Sequence, residues 1–428
     1  MPASRSPRFI LPLLLVMFAL PAKHAAAAGA RVTVACGAIG IELTLCREAA
    51  QEWAQQTGNT VSIVNTPNSS SDRFALYVQL LASRSPEIDV LQIDVVWPGM
   101  LAPHLADLTA AFADRVDAHF PALVENNTVD GRLVAVPWFV DAGLLYYRTD
   151  LLEKHGFAPP QTWQDLTRIA TTIQQRERAA GHQGMWGLVF QGKPYEGLTC
   201  DALEWVASHG GGTFIDDTGR ITAEHPQAVA ALDLAAGWVG RISPRGVLNY
   251  DEEASRGVFQ TGNAVFMRNW PYAWALAQGE DSPVRGKVGV IPLPRGGEDG
   301  RHAGTLGGWQ LAVSRYSRHP EAAMDLVRHL TSAQQQKQRA IRGAYNPTII
   351  ALYEDPEVLA ANPFFGTLLP TFINALPRPA RQTGAHYNQV SAAIWQSVHA
   401  VLSGDLTASE GMERLGRSLQ RIRHRARW

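Results

Sequence analysis

The chain has 428 residues, more than one ordinary hydrophobic core accommodates, so we expect two or more domains. Hydrophobic residues make up 46% of it, as in globular proteins generally. The 38 basic and 39 acidic residues nearly cancel, so the charge gives no support for a nucleic-acid partner.

The first residues have the layout of a secretory signal peptide. Arg5 and Arg8 form a basic start, residues 9–20 are almost all apolar, and residues 25–28 are alanines suited to a signal peptidase. We therefore expect residues 1–28 to be removed on export to the periplasm. No later stretch is apolar enough to cross a bilayer, so we expect a soluble mature protein.

After this leader, short strands and helices alternate. The predicted elements are a strand over 31–35, a helix from Ile41, a strand over 61–64, a helix over 74–81, a strand over 88–93 and a helical turn over 95–101. This βαβαβ order predicts a parallel sheet flanked by helices.

The rest of the chain mixes strands with longer helices. Thr162-Trp163-Gln164-Asp165 is a capping box that opens a long helix. Helices then predominate to about residue 260 and again in the C-terminal third, where the clearest one carries Val390, Ile394, Val398 and Val401 on one stripe. The predicted strands of this part cover 133–136, 143–147, 186–190, 264–267, 288–291 and 310–314.

Three cysteines bear on the compartment, and an odd count argues against a full disulfide framework. Cys36 and Cys46 are able to pair in an oxidising compartment. The alternative, that these two and Cys200 are all small buried hydrophobic residues, is left open.

Two short segments set aromatic rings beside residues that shape the backbone. One is Arg-Asn-Trp-Pro-Tyr-Ala-Trp over 268–274, and the other is Thr-Leu-Gly-Gly-Trp over 305–309. Proline restricts the backbone, and paired glycines let the main chain approach a ligand closely. Flat rings with donors suit a sugar, which has weakly apolar C–H faces and a rim of hydroxyls. Core filling is the alternative, since several of the 12 tryptophans must be structural.

These two segments, with Val-Asp-Ala-Gly-Leu-Leu-Tyr-Tyr-Arg over 140–148 and Gln-Gly-Lys-Pro-Tyr-Glu-Gly-Leu over 191–198, strongly resemble one family. It is the extracellular solute-binding proteins of ABC sugar importers, with the trehalose/maltose-binding branch as the nearest match. The resemblance covers nearly the whole mature chain from about Arg31.

The resemblance implies an α/β, two-lobe periplasmic-binding-protein-like fold of type II. Such a fold has a multi-strand hinge and a ligand cleft between the lobes. One lobe would comprise residues 29–140 with 290–331, and the other residues 143–289 with 332–428. Ligand binding would close the lobes by hinge motion.

Aromatic candidates for the ligand site follow from the family's motif positions. The resemblance implies that Trp270, Tyr272 and Trp309 stack against sugar rings, and the Tyr272 hydroxyl is also a donor. The Gly308 N–H is a further candidate donor.

Acidic candidates are placed by the predicted strands and helices. Asp141 lies between apolar strand residues, where a carboxylate is costly unless it has donors; sugar hydroxyls or an arginine are the two options. Asp94 ends a predicted parallel strand, at the edge where ligands bind in open α/β sheets. Glu42 matches a family position near the start of the first helix, although the helix dipole alone also favours an acid there.

Two arginines complete the candidate set, because a guanidinium is a rigid fork of donors suited to hydroxyl pairs. Arg378 stands between two prolines that hold its backbone rigid, and Arg73 opens a predicted helix. An exposed pairing with Asp72 is the alternative for Arg73.

The sequence thus predicts a binding protein that carries an α-linked disaccharide to the transmembrane subunits and ATPase of an ABC permease. We expect a monomer with no cofactor, no metal and no nucleic-acid partner. Two alternatives stay open: a secreted glycoside hydrolase, which would need two carboxylates flanking one bond, and a sugar-sensing receptor for a membrane signalling protein.

Overall fold

The computed structural model describes residues 1, 3, 29–426 and 428. The predicted signal peptide, residues 1–28, lies outside the described residues except at positions 1 and 3. The strands are β1 Arg31–Cys36, β2 Thr60–Asn65, β3 Val90–Asp94, β4 Thr128–Val129, β5 Arg132–Leu133, β6 Val136–Ala142, β7 Leu144–Arg148, β8 Trp186–Val189, β9 Ala264–Asn269, β10 Val288–Pro292 and β11 Leu306–Val313.

The helices lie between and after these strands along the chain. They are α1 Glu42–Thr57, α2 Ser70–Ala82, α3 Pro98–Leu101, α4 Thr109–Phe112, α5 Pro121–Asn126, α6 Thr149–His155, α7 Trp163–Ala179, α8 Glu196–Ser208, α9 Pro226–Ala236, α10 Glu252–Gln260, α11 Ala273–Ala277, α12 Pro320–Leu330, α13 Ala333–Gly343, α14 Pro356–Ala361, α15 Phe364–Ile373, α16 Ala380–Thr383, α17 Tyr387–Ser403 and α18 Ala408–Ala426. Across the described residues, no helix combines the length and apolarity needed to span a bilayer.

A five-stranded sheet, in the order β2-β1-β3-β11-β6, forms the centre of what we call the first lobe. Strand β1 pairs in parallel with β2 and β3, as the βαβαβ order predicts. Strand β11 enters antiparallel between β3 and β6. Valine-rich strands such as β1 bury their apolar side chains against α1 and α12, and this packing forms the first core.

A four-stranded sheet, in the order β10-β7-β9-β8, forms the centre of the second lobe. Its core includes α7 and α8, and α17 packs against α8 through the predicted stripe of Val390, Ile394, Val398 and Val401. Thr162 caps α7 as predicted, because its hydroxyl accepts the Asp165 N–H at 3.1 Å at the start of the helix.

Three chain segments connect the lobes. Strand β6 runs directly into β7, and the segment after β10 returns to β11. The third passes through Leu376, whose N–H donates to the Gly304 carbonyl and whose carbonyl accepts the Leu306 N–H, each at 2.8 Å. The predicted lobe boundary at 290 falls inside β10, all five residues of which pair with β7 in the second sheet.

Two strands have bounds that differ from the predicted ones. The segment predicted over 133–136 is instead the end of β5 and the start of β6, which continues to Ala142. All seven residues of β6 are buried, so it lacks the polar alternation that marks a half-exposed strand. Strand β11 begins at Leu306 rather than at residue 310, because Gly307 and Gly308 are also paired with β6.

Candidate functional site

A cavity of about 50 Å³ lies between the two lobes. The first lobe contributes residues from the loop after β1, the end of β3, and the facing strands β6 and β11. The second lobe contributes the start of α8 and the segment after β9. Seven of the nine predicted site residues line this cavity: Glu42, Asp94, Asp141, Trp270, Tyr272, Trp309 and Arg378.

Trp309 reaches the cavity from the middle of the first sheet. It is paired with Asp94 on β3 and with Phe139 on β6, and the register shifts just after it. Its ring packs edge-on against Trp97, with the ring centroids 5.5 Å apart, and the Arg73 guanidinium lies 4.1 Å from its centroid. The indole is therefore fixed by neighbours on its own lobe.

Trp270 reaches the cavity from the second lobe, just after β9. Its Nε1 donates to a Glu252 oxygen at 3.3 Å, and the Arg268 guanidinium lies 3.9 Å from its ring centroid. The absence of a side chain at Gly307 gives this ring room, since a Cβ there would lie 3.0 Å from Trp270 Cζ3. Tyr272 is also buried, and its hydroxyl donates to Glu253 at 2.7 Å.

Glu42 is the first residue of α1 and is almost completely buried. The Gln92 side-chain amide donates to one of its oxygens. Burial raises the pKa of Glu42, while the positive charges of Arg73 and Arg339 oppose this rise. Its carboxylate is consequently already partnered within the first lobe.

Asp141 has a different environment. It lies on β6, lines the cavity and is 7% exposed, and its carboxyl makes no hydrogen bond or ion pair to the described residues. Burial raises the pKa of Asp141 to about 8, and the charge of Glu42 adds to this, while Arg268 and Arg339 oppose it. The predicted alternative of an ion pair with an arginine is not observed at this residue.

Arg378 connects the two lobes across one end of the cavity. One nitrogen donates to Asp94 on β3 at 2.8 Å, and the other donates to Glu196 at the start of α8 at 2.7 Å. The hydroxyls of Tyr387 and Ser391 also donate to Glu196. Arg378, Tyr387 and Ser391 are buried together with Glu196, so one guanidinium is shared by two carboxyl groups away from water.

Two predicted residues do not line the cavity. Arg73 is fully buried, and its Nε and Nη2 donate to the Pro67 carbonyl at 3.2 and 3.0 Å. Gly308 has φ 115°, and its carbonyl accepts the Val95 N–H at 3.1 Å. A Cβ on Gly308 would lie 2.4 Å from the Phe139 carbonyl, so glycine is required there by the approach of two strands.

Sequence reasoning missed several lining residues. Glu196 belongs to the Gln191–Leu198 segment that carries the family resemblance, so a signal was present. Glu252 follows another acid at the start of α10, where a helix dipole explains it equally well, so nothing distinguished it. The other missed residues are Ile39, Asn68, Ser70, Phe139, Gly197, Cys200, Gly307 and Tyr345.

One protein family and three known proteins are similar to this chain. The family described as bacterial extracellular solute-binding protein matches residues 45–337. A probable ABC transporter-binding protein of Deinococcus radiodurans is 52% identical over 396 residues, which is 92% of this chain and 94% of that protein. The structure of maltose-bound MalE3 from T. maritima has a TM-score of 0.88 and 43% identity, and covers 92% of this chain and 100% of that one. A mannitol-binding protein of Pseudomonas aeruginosa is 24% identical over 369 residues, which is 81% of this chain and 83% of that protein.

Proposed function

The chain belongs to the family of bacterial extracellular solute-binding proteins, and from this membership we propose that its ligand is an α-linked disaccharide of the trehalose or maltose type. It is a sugar-binding protein of an ABC importer and not an enzyme, which removes the glycoside hydrolase alternative. The two-lobe fold expected from the sequence is confirmed by the T. maritima structure.

The observation that carries the ligand proposal is that Trp309 of the first lobe and Trp270 of the second line one cavity. An aromatic face from each lobe is suited to cover the C–H face of one sugar ring. The 43% identical relative is bound to maltose, which supports a disaccharide of α-linked glucose. The mannitol-binding relative is only 24% identical and supports a linear polyol less strongly.

Polar groups around the two rings are suited to a rim of hydroxyls. The Asp141 carboxyl makes no hydrogen bond to the described residues, so sugar hydroxyls would satisfy it. Glu252 and Tyr272 also line the cavity, and the Gly308 N–H, which does not line it, is the weakest member of the proposed set. Two stacking faces together with these hydrogen bonds favour micromolar or tighter binding.

Ligand entry requires movement. The cavity volume of about 50 Å³ is well below the roughly 300–1,000 Å³ of typical small-molecule sites. Since three chain segments connect the lobes, we propose that they separate by a hinge motion and close again over the sugar. The predicted boundaries at 140/143 and 289/290 stay part of this proposal. We propose the third crossing at Leu376 instead of at 331/332, because Asn346 and Ile349 still form bridges with the first lobe.

Family membership supports a site of action outside the cytoplasm, which we propose is the periplasm after cleavage near residue 28. The bound monomer would dock on the transmembrane subunits of a permease, whose ATPase drives import. A sugar-sensing receptor would use the same cavity. Loss of labelled-disaccharide uptake on deletion of the gene would favour transport, and unchanged uptake with a lost sensory response would favour sensing.

Calorimetry on the purified chain tests the ligand. Maltose or trehalose should bind with a Kd near 1 μM or below, about −8 kcal/mol, while mannitol binds more weakly. Trp270→Ala and Trp309→Ala should each cost about 1–3 kcal/mol because each removes a stacking face.

Trp186→Ala is the matched control for this experiment, since Trp186 is a half-buried tryptophan that does not line the cavity. The Trp186→Ala variant should bind the disaccharide with the affinity of the wild type. A disaccharide panel that gives no heat of binding would overturn the ligand proposal, and unchanged affinity in both cavity variants would overturn the stacking assignment.

A further inference from the structure

Both cavity-lining tryptophans have one ring face covered by a buried arginine. The Arg73 guanidinium carbon lies 4.1 Å from the Trp309 ring centroid, and that of Arg268 lies 3.9 Å from the Trp270 centroid. A guanidinium at this distance is attracted by the ring quadrupole, and its plane stacks on the indole. The same arrangement thus occurs once on each lobe.

Each arginine is held by partners other than the ring. Arg73 donates twice to the Pro67 carbonyl, and Arg268 donates to Glu204, to Gln191 at 3.0 Å, and lies 3.0 Å from Asp201. Both side chains are at most 2% exposed, and neither residue lines the cavity. The Arg268 nitrogens are therefore all engaged within the protein, whereas the buried Arg73 Nη1 has no hydrogen-bond partner among the described residues. The flat faces of both guanidinium groups lie on the tryptophan rings.

We propose that Arg73 and Arg268 are positioning residues, each of which fixes the plane of one tryptophan so that only the opposite ring face meets the ligand. This inference rests on the proposed function, because it concerns how the sugar is stacked. It replaces the predicted role of Arg73 as a donor to the ligand. It also implies that the indoles are oriented before any sugar arrives, so no free energy of binding is spent on ordering them.

The chain contains a matched control pair away from the cavity. Arg178 lies 4.3 Å from the Trp186 ring centroid, and its Nε donates to the Met185 carbonyl at 2.9 Å. This pair repeats the stack and the backbone hydrogen bond of Arg73 without lining the cavity. Arg178→Lys should leave disaccharide affinity unchanged.

A double-mutant cycle separates positioning from direct contact. Arg73→Lys keeps the positive charge beside Glu42 but loses the planar stack, and should weaken disaccharide binding roughly 3- to 30-fold. In the Trp309→Ala background the same substitution should have no further effect, because Arg73 acts through that ring. If the two losses multiply in the double variant, Arg73 contacts the ligand itself and the proposal is wrong.

A measurement on the unsubstituted chain covers the case in which Arg73→Lys does not fold. In ligand-free protein labelled with 5-fluorotryptophan, the Trp309 and Trp270 ¹⁹F signals should relax as rigidly as that of the buried Trp163. Ring motion on the microsecond to millisecond timescale at either site would contradict the proposal. Because no sugar is present, this result is independent of whether a disaccharide proves to be the ligand.

Discussion

Asp141 shows how a single side chain couples the cavity to pH. Only 7% of the residue is exposed, and its carboxyl lines the cavity without a hydrogen bond to the described residues. Burial, together with the charge of Glu42, raises its pKa from 3.8 to about 8. At a pH between these two values, Asp141 is therefore protonated in the native chain and ionised in the unfolded chain.

The sign of the resulting pH dependence follows from linkage. Because the native state binds the extra proton, the free energy of unfolding should fall as pH rises from about 4 to about 8. The amide of Asp141→Asn does not titrate. Relative to this variant, the free energy of unfolding of the wild type should fall by about 1.4 kcal/mol per pH unit within this window. Urea unfolding of both proteins at several pH values measures the difference.

Asp114→Asn is the control for this measurement. Hydrogen bonding to Arg328 lowers the pKa of the exposed Asp114 to about 2, so its charge is constant across the window. The difference in unfolding free energy between Asp114→Asn and the wild type should not change with pH above pH 4. A flat difference for Asp141→Asn as well would show that Asp141 is ionised throughout.

At the scale of elements, a disulfide joins the end of β1 to α1. Cys36 and Cys46 are bonded and ten residues apart, while Cys200 is free and buried. The loop that they close carries Ile39 and Glu42 to the cavity wall. The bond thus fixes one edge of the site as well as the junction of two elements.

Reduction of this disulfide should lower the free energy of unfolding by roughly 2–3 kcal/mol, because a loop of this length gains that much freedom in the unfolded chain. Sugar affinity should fall with it, since the loop bearing Glu42 is released. Urea unfolding and calorimetry with and without a thiol reductant measure both effects. Cys36→Ser/Cys46→Ser is the control and should not respond to reductant. An unchanged transition after confirmed reduction would contradict the prediction.

The elements also show what local sequence reveals. Helix α1 and strand β1 were predicted because their apolar residues keep one period, and α7 because Thr162 caps it. The position of strand β6 was predicted wrongly, because burial on both faces removes the alternation of apolar and polar residues. The bond between Cys36 and Cys46 stayed open, because spacing alone does not fix where two thiols point.

The site was predictable only where a motif accompanied the residue. Trp270 and Trp309 stand in distinctive aromatic segments, and both line the cavity. The stacking of Arg73 on Trp309 has no local signal in the sequence, because it depends on the pairing of distant parts of the chain. Glu252 has no signal beyond its helix position.

At the scale of the whole molecule, Arg378 is the ion-pair link between lobes beside the cavity. It bonds Asp94 on the first lobe and Glu196 on the second, and its own side chain is 2% exposed. Removing one member of a buried ion cluster costs about 3–5 kcal/mol, because the remaining charges lose their partner. Separation of the lobes would let water reach both carboxylates.

Arg378→Met should therefore shift the molecule toward an open form with a larger radius of gyration, measured by small-angle X-ray scattering without ligand. Arg378→Lys, which retains the charge, should shift it less. Arg381→Met is the control, because Arg381 pairs with Glu125 at 3.0 Å through a side chain that is 84% exposed. A scattering curve of Arg378→Met that superimposes on that of the wild type would contradict this role.

The position of β11 has a consequence for biosynthesis. This strand lies in the interior of the first sheet, between β3 and β6, yet it is the last strand in chain order, at Leu306–Val313. A ribosome must therefore make about three quarters of the polypeptide before the sheet gains its missing member. Until then the first sheet lacks the strand that joins β3 to β6, so the two parts of the nascent lobe cannot complete their shared core.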